Sequence, residues 1–330
     1  MTLPRAGTKS KLLLFLGRVG AVLAIIFLLV ACWEAIRLSY ADWLTRQETV
    51  ESLKRAVAIA PEDAWAHYAL AFHLADTDPA RAEAELLEAV RRNPWDSRSL
   101  IELGLRAEAA KDYPRSEHFL LEAARVDHLY GPRWTLANYY FRRGDRENFW
   151  AWAQLAVPMS FSDMTPLFRL ASYMAGDKDN IAALLKLEKP DHLANYLGFA
   201  ISTKRYDDVA PVAIQLSRLA REPDRPVILN ACDALIQAGR ANEASQIWSE
   251  AGRNKLIPYP PTDAQTGLIT NPEFKFAPLS GGFDWRVLVQ PGVSVANLTS
   301  PPRCVSTSRA SNLSDAKSCG NTCPSEDPRV

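Results

Sequence analysis

The sequence predicts an all-α chain of antiparallel helix pairs behind one membrane-spanning helix, with a short β-like or disordered C-terminal segment. Three observations predict it. Ala56, Ala89, Ala123 and Ala156 recur at a spacing of 33 or 34 residues. Pro61 and Pro94 each follow one of these alanines by five residues, and Gly144-Asp145 marks the turn between the two helices of a later pair. The stretch Leu12–Trp33 is apolar except for Arg18. A period near 34 with small and large apolar residues at set offsets marks stacked helix pairs, each too small to bury its own apolar face.

Size and charge narrow the function. The chain has 330 residues, 38 basic and 38 acidic, for a net charge of zero. A protein that binds nucleic acid through broad phosphate attraction carries an excess of cations, so no nucleic-acid partner is expected. Cys32, Cys232, Cys304, Cys319 and Cys323 are scattered, and the Cys319/Cys323 spacing lacks the tighter ligand arrangement of a zinc site. They read as free or incidental thiols.

The N-terminus reads as a signal anchor: residues 1–11 cytoplasmic and 12–38 transmembrane. A bilayer core needs about 20 apolar helical residues. Arg18 lies near one end, where its stem can snorkel to the headgroups. Arg5, Lys9 and Lys11 precede the span and orient the N-terminus toward the cytoplasm. Trp33, Tyr40 and Trp43 follow it as interfacial aromatics. The repeat domain is then expected on the extracytoplasmic side of a bacterial inner membrane. Two alternatives compete. Leu29-Val30-Ala31-Cys32 resembles a lipoprotein signal, which would lipidate Cys32, but bulky Trp33 follows without a polar tether. A cleaved signal peptide would need a better small-residue site.

The repeat region spans residues 45–257. The segment beginning Leu103-Gly104 continues with Ser116, Leu120 and Ala123. The unit before it has Leu70, Ala71, Ala82, Leu86, Ala89 and Pro94. The unit after it has Leu136, Ala137, Tyr140, Gly144-Asp145 and Ala156. The segment 53–63, with Ala56 and Pro61, reads as the second helix of a capping half-repeat. Weaker units follow at Leu197-Gly198 with Ala210, and at Gly239, Ala244, Trp248 and Ala251. Small residues let two helices approach at their crossing, and proline ends the second helix.

These offsets resemble the tetratricopeptide repeat family over roughly residues 50–255. The resemblance implies an α-solenoid whose first helices line a concave groove for a protein partner. By that alignment the groove-facing residues are Trp65, Tyr68 and Phe72, then Arg98, Ile101 and Leu105, then Trp134, Asn138 and Phe141. Aromatics there suit an extended peptide, a helix or a sugar ring. An aromatic stripe at helical spacing also reads as ordinary core, which Trp65→Ala and Trp134→Ala would distinguish.

Catalysis has no comparable signature. The five histidines are scattered; His67 and His73 are six apart and miss the i, i+4 metal pairing. No phosphate loop follows a strand, and Gly281-Gly282 reads as a turn. The acidic residues read as solvated faces of repeat helices. No enzyme activity and no cofactor are expected. The expected function is a membrane-anchored scaffold holding partner proteins, in envelope or exopolysaccharide assembly. The alternative is a carbohydrate-binding protein that contacts glycan through the groove or the C-terminal module.

From Pro258 the style changes, with more Pro and Gly and alternating apolar residues. Asn271-Pro272-Glu273-Phe274 and Gly281-Gly282-Phe283-Asp284-Trp285 resemble the opening strands of jelly-roll carbohydrate-binding modules. Residues 258–297 therefore read as a partial β-module. Residues 298–330 read either as a disordered tail or as the product of a one-base frame shift near Arg303. The nucleotide sequence decides between them.

Overall fold

A computed structural model describes residues 6–160, 163–176, 179–261, 270–286, 293–299 and 302–308. Its helices run in the order α1 (Ala6–Thr45), α2 (Val50–Ile59), α3 (Ala64–Leu74), α4 (Pro79–Arg92), α5 (Ser97–Ala109), α6 (Tyr113–Val126), α7 (Tyr130–Arg143) and α8 (Arg146–Ala156). They continue with α9 (Thr165–Met174), α10 (Ile181–Leu184), α11 (Pro190–Ser202), α12 (Tyr206–Arg218), α13 (Arg225–Gln237) and α14 (Ala241–Arg253). Strands β1 (Val293–Thr299) and β2 (Pro302–Ser308) pair antiparallel, with Ala296 opposite Val305. The chain divides into two compact units, Met1–Ser160 and Phe161–Val330.

In the first unit the helices pair as α3 with α4, α5 with α6 and α7 with α8. The alanine rungs lie in the second helix of each pair, and Ala56, Ala89, Ala123 and Ala156 are all 0% exposed. Leu53, Leu70, Leu86, Leu103, Leu120 and Leu136 fill the spaces between them and are buried. Each such leucine contributes about 1.5–3 kcal/mol relative to an exposed one. Gly104 sits where α5 crosses α6. A Cβ there would lie 2.6 Å from Leu120 Cδ2, so the position takes no larger residue without a shift.

A second ladder runs in the same phase and is polar. Asp78, Asp112 and Asp145 cap the N-termini of α4, α6 and α8. Each side chain accepts the N–H three residues on: Arg81 at 3.1 Å, Arg115 at 3.2 Å and Asn148 at 3.0 Å. Thr49 caps α2 in a reciprocal box with Ser52. These caps satisfy N–H groups that a helix terminus otherwise leaves unpaired.

The unit begins differently from the expected half-repeat. The helix expected over 53–63 is α2, and its partner is the distal end of α1. Helix α1 is unbroken from Ala6 to Thr45, so no linker separates the apolar stretch from the first pair. Leu44 packs with Ala56 and Ala66, and Ala41 and Thr45 are buried. Arg37 donates to Ile59 O at 2.7 Å and pairs with Glu62 and, at 2.7 Å, with Glu34. The opposite face of α1 leaves Ile36, Tyr40 and Trp43 exposed.

The second unit is less regular. Leu197, Ala210, Ala244, Trp248 and Ala251 are buried as the weaker pattern suggests. Its helix pairs are bridged by ion pairs such as Arg240–Asp207 at 2.6 Å and Arg218–Glu250 at 3.1 Å. The polar core is a Tyr196 hydroxyl that donates to Asp208 at 2.5 Å, with Arg205 on the same carboxylate at 2.9 Å.

The segment expected to open a β-module takes another form. Residues 270–286 make turns and bends with no strand. Asn271, Phe274, Ser280 and Gly282 all have positive φ, which breaks any extended run. The segment instead lies against α13 and α14. Trp248 stacks on Tyr259 at 5.6 Å and meets Phe283 edge-on at 5.8 Å. Asp233 of α13 accepts the Gly282 N–H at 2.8 Å and pairs with Arg286. Asp284 accepts Tyr259 Oη and Leu279 N, both at 2.6 Å. The strands form later, at β1 and β2, with β2 inside the stretch expected to be tail. Residues 309–330 lie outside the described residues.

Two substitutions test this architecture. Asp112→Ala removes a cap and lowers stability by about 0.5–2 kcal/mol in urea unfolding of the repeat region. Gly282→Ala must hold φ near +61° and sets a methyl 2.4 Å from the Trp248 ring. It costs about 2–4 kcal/mol from left-handed strain and overpacking together, and trypsin cleavage after exposed Lys275 accelerates.

Candidate functional site

All nine residues aligned to the expected groove lie on α3, α5 and α7, the first helices of three successive pairs. They fall on the side of each helix away from the buried leucines. Phe72 is the most open at 61% exposed, and Trp65 is 45% exposed. Arg98 and Leu105 are also exposed, while Tyr68, Ile101, Trp134, Asn138 and Phe141 are half-buried. This row is therefore not core in the sense that Leu70 or Leu103 is.

The first two helices build one stacked cluster. Trp65 and Tyr68 stack at 5.4 Å, one turn apart on α3. The Arg98 guanidinium of α5 lies over both rings, 4.7 Å from the Trp65 centroid and 5.7 Å from that of Tyr68. Asp96 holds Arg98 at 3.0 Å and also accepts from Ser99 Oγ at 2.8 Å. A cation over two rings is an attraction of about 0.5–1 kcal/mol at an exposed site. Partial burial raises the Tyr68 phenol above its ordinary pKa, with nearby Glu102 adding to the rise and Arg98 opposing it. Ile101 and Leu105 continue the row along α5, and Phe72 ends it on α3 with its ring edge-on to His73 at 5.6 Å.

On α7 the aromatics are tied more locally. Trp134 stacks on Tyr130 at 6.0 Å, and Asn138 donates to Trp134 O at 2.9 Å. Phe141 tilts against Phe149 of α8 at 6.1 Å. The α3–α5 part of the row is thus the open, cationic part, and the α7 part leans inward.

Sequence reasoning missed a second concavity. A cleft of about 360 Å³ is lined by Tyr113, Glu117, Tyr139, Tyr140 and Arg143, with Pro114 and Asp145. Tyr140 donates to Glu117 at 2.6 Å, Tyr139 donates to Tyr113 O at 3.2 Å, and Arg143 lies 3.7 Å over the Tyr113 ring. Burial, and then the Glu117 carboxylate, push the Tyr140 phenol up. The paired Tyr139-Tyr140 was the available signal: both rings are buried between α7 and α6, and two adjacent phenols there need polar partners, which Tyr113 O and Glu117 supply. The second unit has a cleft of about 420 Å³ between α9 and α11, lined by Arg169, Tyr173, Phe199 and Arg205 among others.

Neither cleft assembles a nucleophile with a base that a third group orients. Among the described residues no three His, Cys, Asp or Glu gather as they would around a metal ion. His67 is committed to Glu85 at 2.7 Å and to Pro61 O at 3.1 Å, inside the first repeat pair. Cys232 is buried against α14 and burial pushes its thiol up to about 12, so it is a packing residue rather than a nucleophile. Cys32 is exposed within unbroken α1. Arg18 and Trp33 also lie on α1, whose portion Arg18–Thr45 is long and apolar enough to cross a membrane and has no buried residue in its most apolar window.

No family model matches the chain, and no curated protein matches its sequence. What the chain itself shows is a helical, repeat-like protein with one candidate transmembrane helix at its N-terminus.

The exposure of the row sets an expectation for its stability role. Trp65→Ala costs about 1 kcal/mol or less, because nearly half its surface is already wet. Leu103→Ala costs about 2–5 kcal/mol. Urea unfolding of the two variants measures the difference, and equal losses would place Trp65 in the core.

Proposed function

We propose that the chain is a non-enzymatic scaffold, a tetratricopeptide-like solenoid anchored by α1 and holding a protein partner on the α3–α5 face. The reading rests above all on the Trp65–Tyr68–Arg98 stack with Phe72 and Leu105 beside it. Large, stiff aromatics left half in water, with a cation over them, are what interface anchors are made of, because they bury much area at little entropic cost. The partner that suits them is an extended or helical segment with apolar side chains and an acidic group near Arg98.

Anchoring supports the same reading. The 0% burial of the most apolar α1 window suits a helix whose sides face lipid. Arg5, Lys9 and Lys11 ahead of it suit a cytoplasmic N-terminus, with the helix pairs on the extracytoplasmic side of a bacterial inner membrane. A scaffold in envelope or exopolysaccharide assembly fits that placement.

The test uses a photo-crosslinking residue at position 72 in the full chain in membranes. The expected outcome is one defined protein adduct, lost when Trp65→Ser is added. Position 121, on α6 and exposed, serves as the comparison and gives none. Equal adducts at both positions, or none at 72, overturn the scaffold reading. A glycan adduct at 72 moves the function to carbohydrate binding.

A further inference from the structure

We propose that the edge of the first unit carrying the α4–α5 and α6–α7 turns lies on the phospholipid surface of the membrane that α1 crosses, with Trp95 and Leu129 as its insertion points. The proposal rests on the reading of α1 as a transmembrane helix and goes beyond it.

The direction of the chain sets which edge this is. Helix α1 leaves the membrane, and α2 returns toward it. The α2–α3 turn is therefore on the membrane side, and so are the α4–α5 and α6–α7 turns. The α1–α2, α3–α4, α5–α6 and α7–α8 turns are on the far side. Arg37 fixes the height: it binds Ile59 O and Glu62 at the α2–α3 turn. Arg37 is four residues past Trp33, about 6 Å along a helix rising 1.5 Å per residue. The headgroup layer beyond the hydrocarbon is roughly 5–8 Å thick on each face. The turn at Glu62 thus stands at headgroup level.

The next two turns are built alike and end differently. In each, an Asx residue captures the N–H two positions on: Asn93 Oδ1 takes Trp95 N at 3.2 Å, and Asp127 Oδ1 takes Leu129 N at 2.8 Å. Trp95 and Leu129 therefore hold the place that Glu62 holds, two residues after Ala60, in the first turn. Ser97 Oγ donates to Asp127 Oδ2 at 2.7 Å and ties the two turns together. At these tips Trp95 is 71% exposed and Leu129 is 63% exposed. On the far edge, by contrast, no turn residue puts a large apolar side chain in water, among the described residues of this unit. Arg91 and Arg125 lie on the last turn of α4 and α6, with side chains 75% and 64% exposed; each pairs with a glutamate one turn back (Glu88 at 3.0 Å, Glu122 at 2.8 Å), an exposed pair that phosphates can compete for when the tips insert. A tryptophan and a leucine at turn tips, flanked by arginines at headgroup height, match the chemistry of a phospholipid interface.

The experiment places a benzophenone amino acid singly at positions 26, 95, 129, 76 and 147 of the full chain, reconstituted in vesicles of phosphatidylethanolamine and phosphatidylglycerol. Adducts are identified by mass spectrometry, and helical circular dichroism is compared with the parent for each variant. Lipid adducts at 26, 95 and 129, with none at 76 and 147 on the far edge, are expected. Lipid at 26 alone overturns the proposal and leaves the span intact. Lipid at 76 and 147 as strongly as at 95 and 129 also overturns it, because the edge is then not distinguished. Protein adducts at 95 or 129 assign the tips to a protein contact instead. Absence of lipid at 26 removes the span and the proposal with it.

Discussion

Close approach of paired helices at the alanine rungs is the constraint on which the first unit depends. At Ala56, Ala89, Ala123 and Ala156 no side chain beyond a methyl separates one helix from the next, and none of the four is exposed. That approach brings the leucines of both helices into one layer and lets each pair share its layer with the next. It also decides what remains outside. With the leucine side of α3 and α5 turned inward, Trp65, Phe72 and Leu105 have nowhere to go but the surface. The exposed row and the buried ladder are two sides of one geometric fact.

The polar interactions refine this frame. Asp78, Asp112 and Asp145 repeat at the same interval as the alanines and start the second helix of each pair at a fixed residue. Ion pairs between successive pairs, such as Arg142 with Glu108 at 2.6 Å, follow the same interval. Half-exposed pairs of this kind add little stability each. Their role is register, since a slip of one turn would part every one of them at once.

The sequence carried the first unit well, because its signal is periodic and its physics local. The alanine phase located the helix pairs, and even the α2 segment was in its right place. The partner of α2 was not legible. The membrane span read from hydropathy ends at residue 38 and the repeats are placed from 45, so Ala41 and Leu44, core residues of the first pair on the same helix, fall between the two. The C-terminal segment misled for a different reason. Alternation of apolar residues at 271–285 reads as strand, but Asp284, Asn271 and Asp233 compete for backbone N–H groups and fold it into turns. The nearness of Gly282 to Trp248 depends on residues 34 positions apart, which no local pattern records. The row on α3 and α5 was legible by alignment, whereas the cation over its rings joins residues 33 apart and emerged only from the packing.

Unbroken α1 has a mechanical consequence. A flexible tether would let the repeat pairs tumble freely above the bilayer. Here the last two turns of α1 are part of the first pair, clamped by Arg37, Ala41 and Leu44. With α1 crossing a bilayer as proposed, any tilt or axial rotation of it would be a tilt or rotation of that pair, without slack. A change in bilayer thickness, which long apolar helices accommodate by leaning, would swing the α3–α5 face as a needle swings on its shaft.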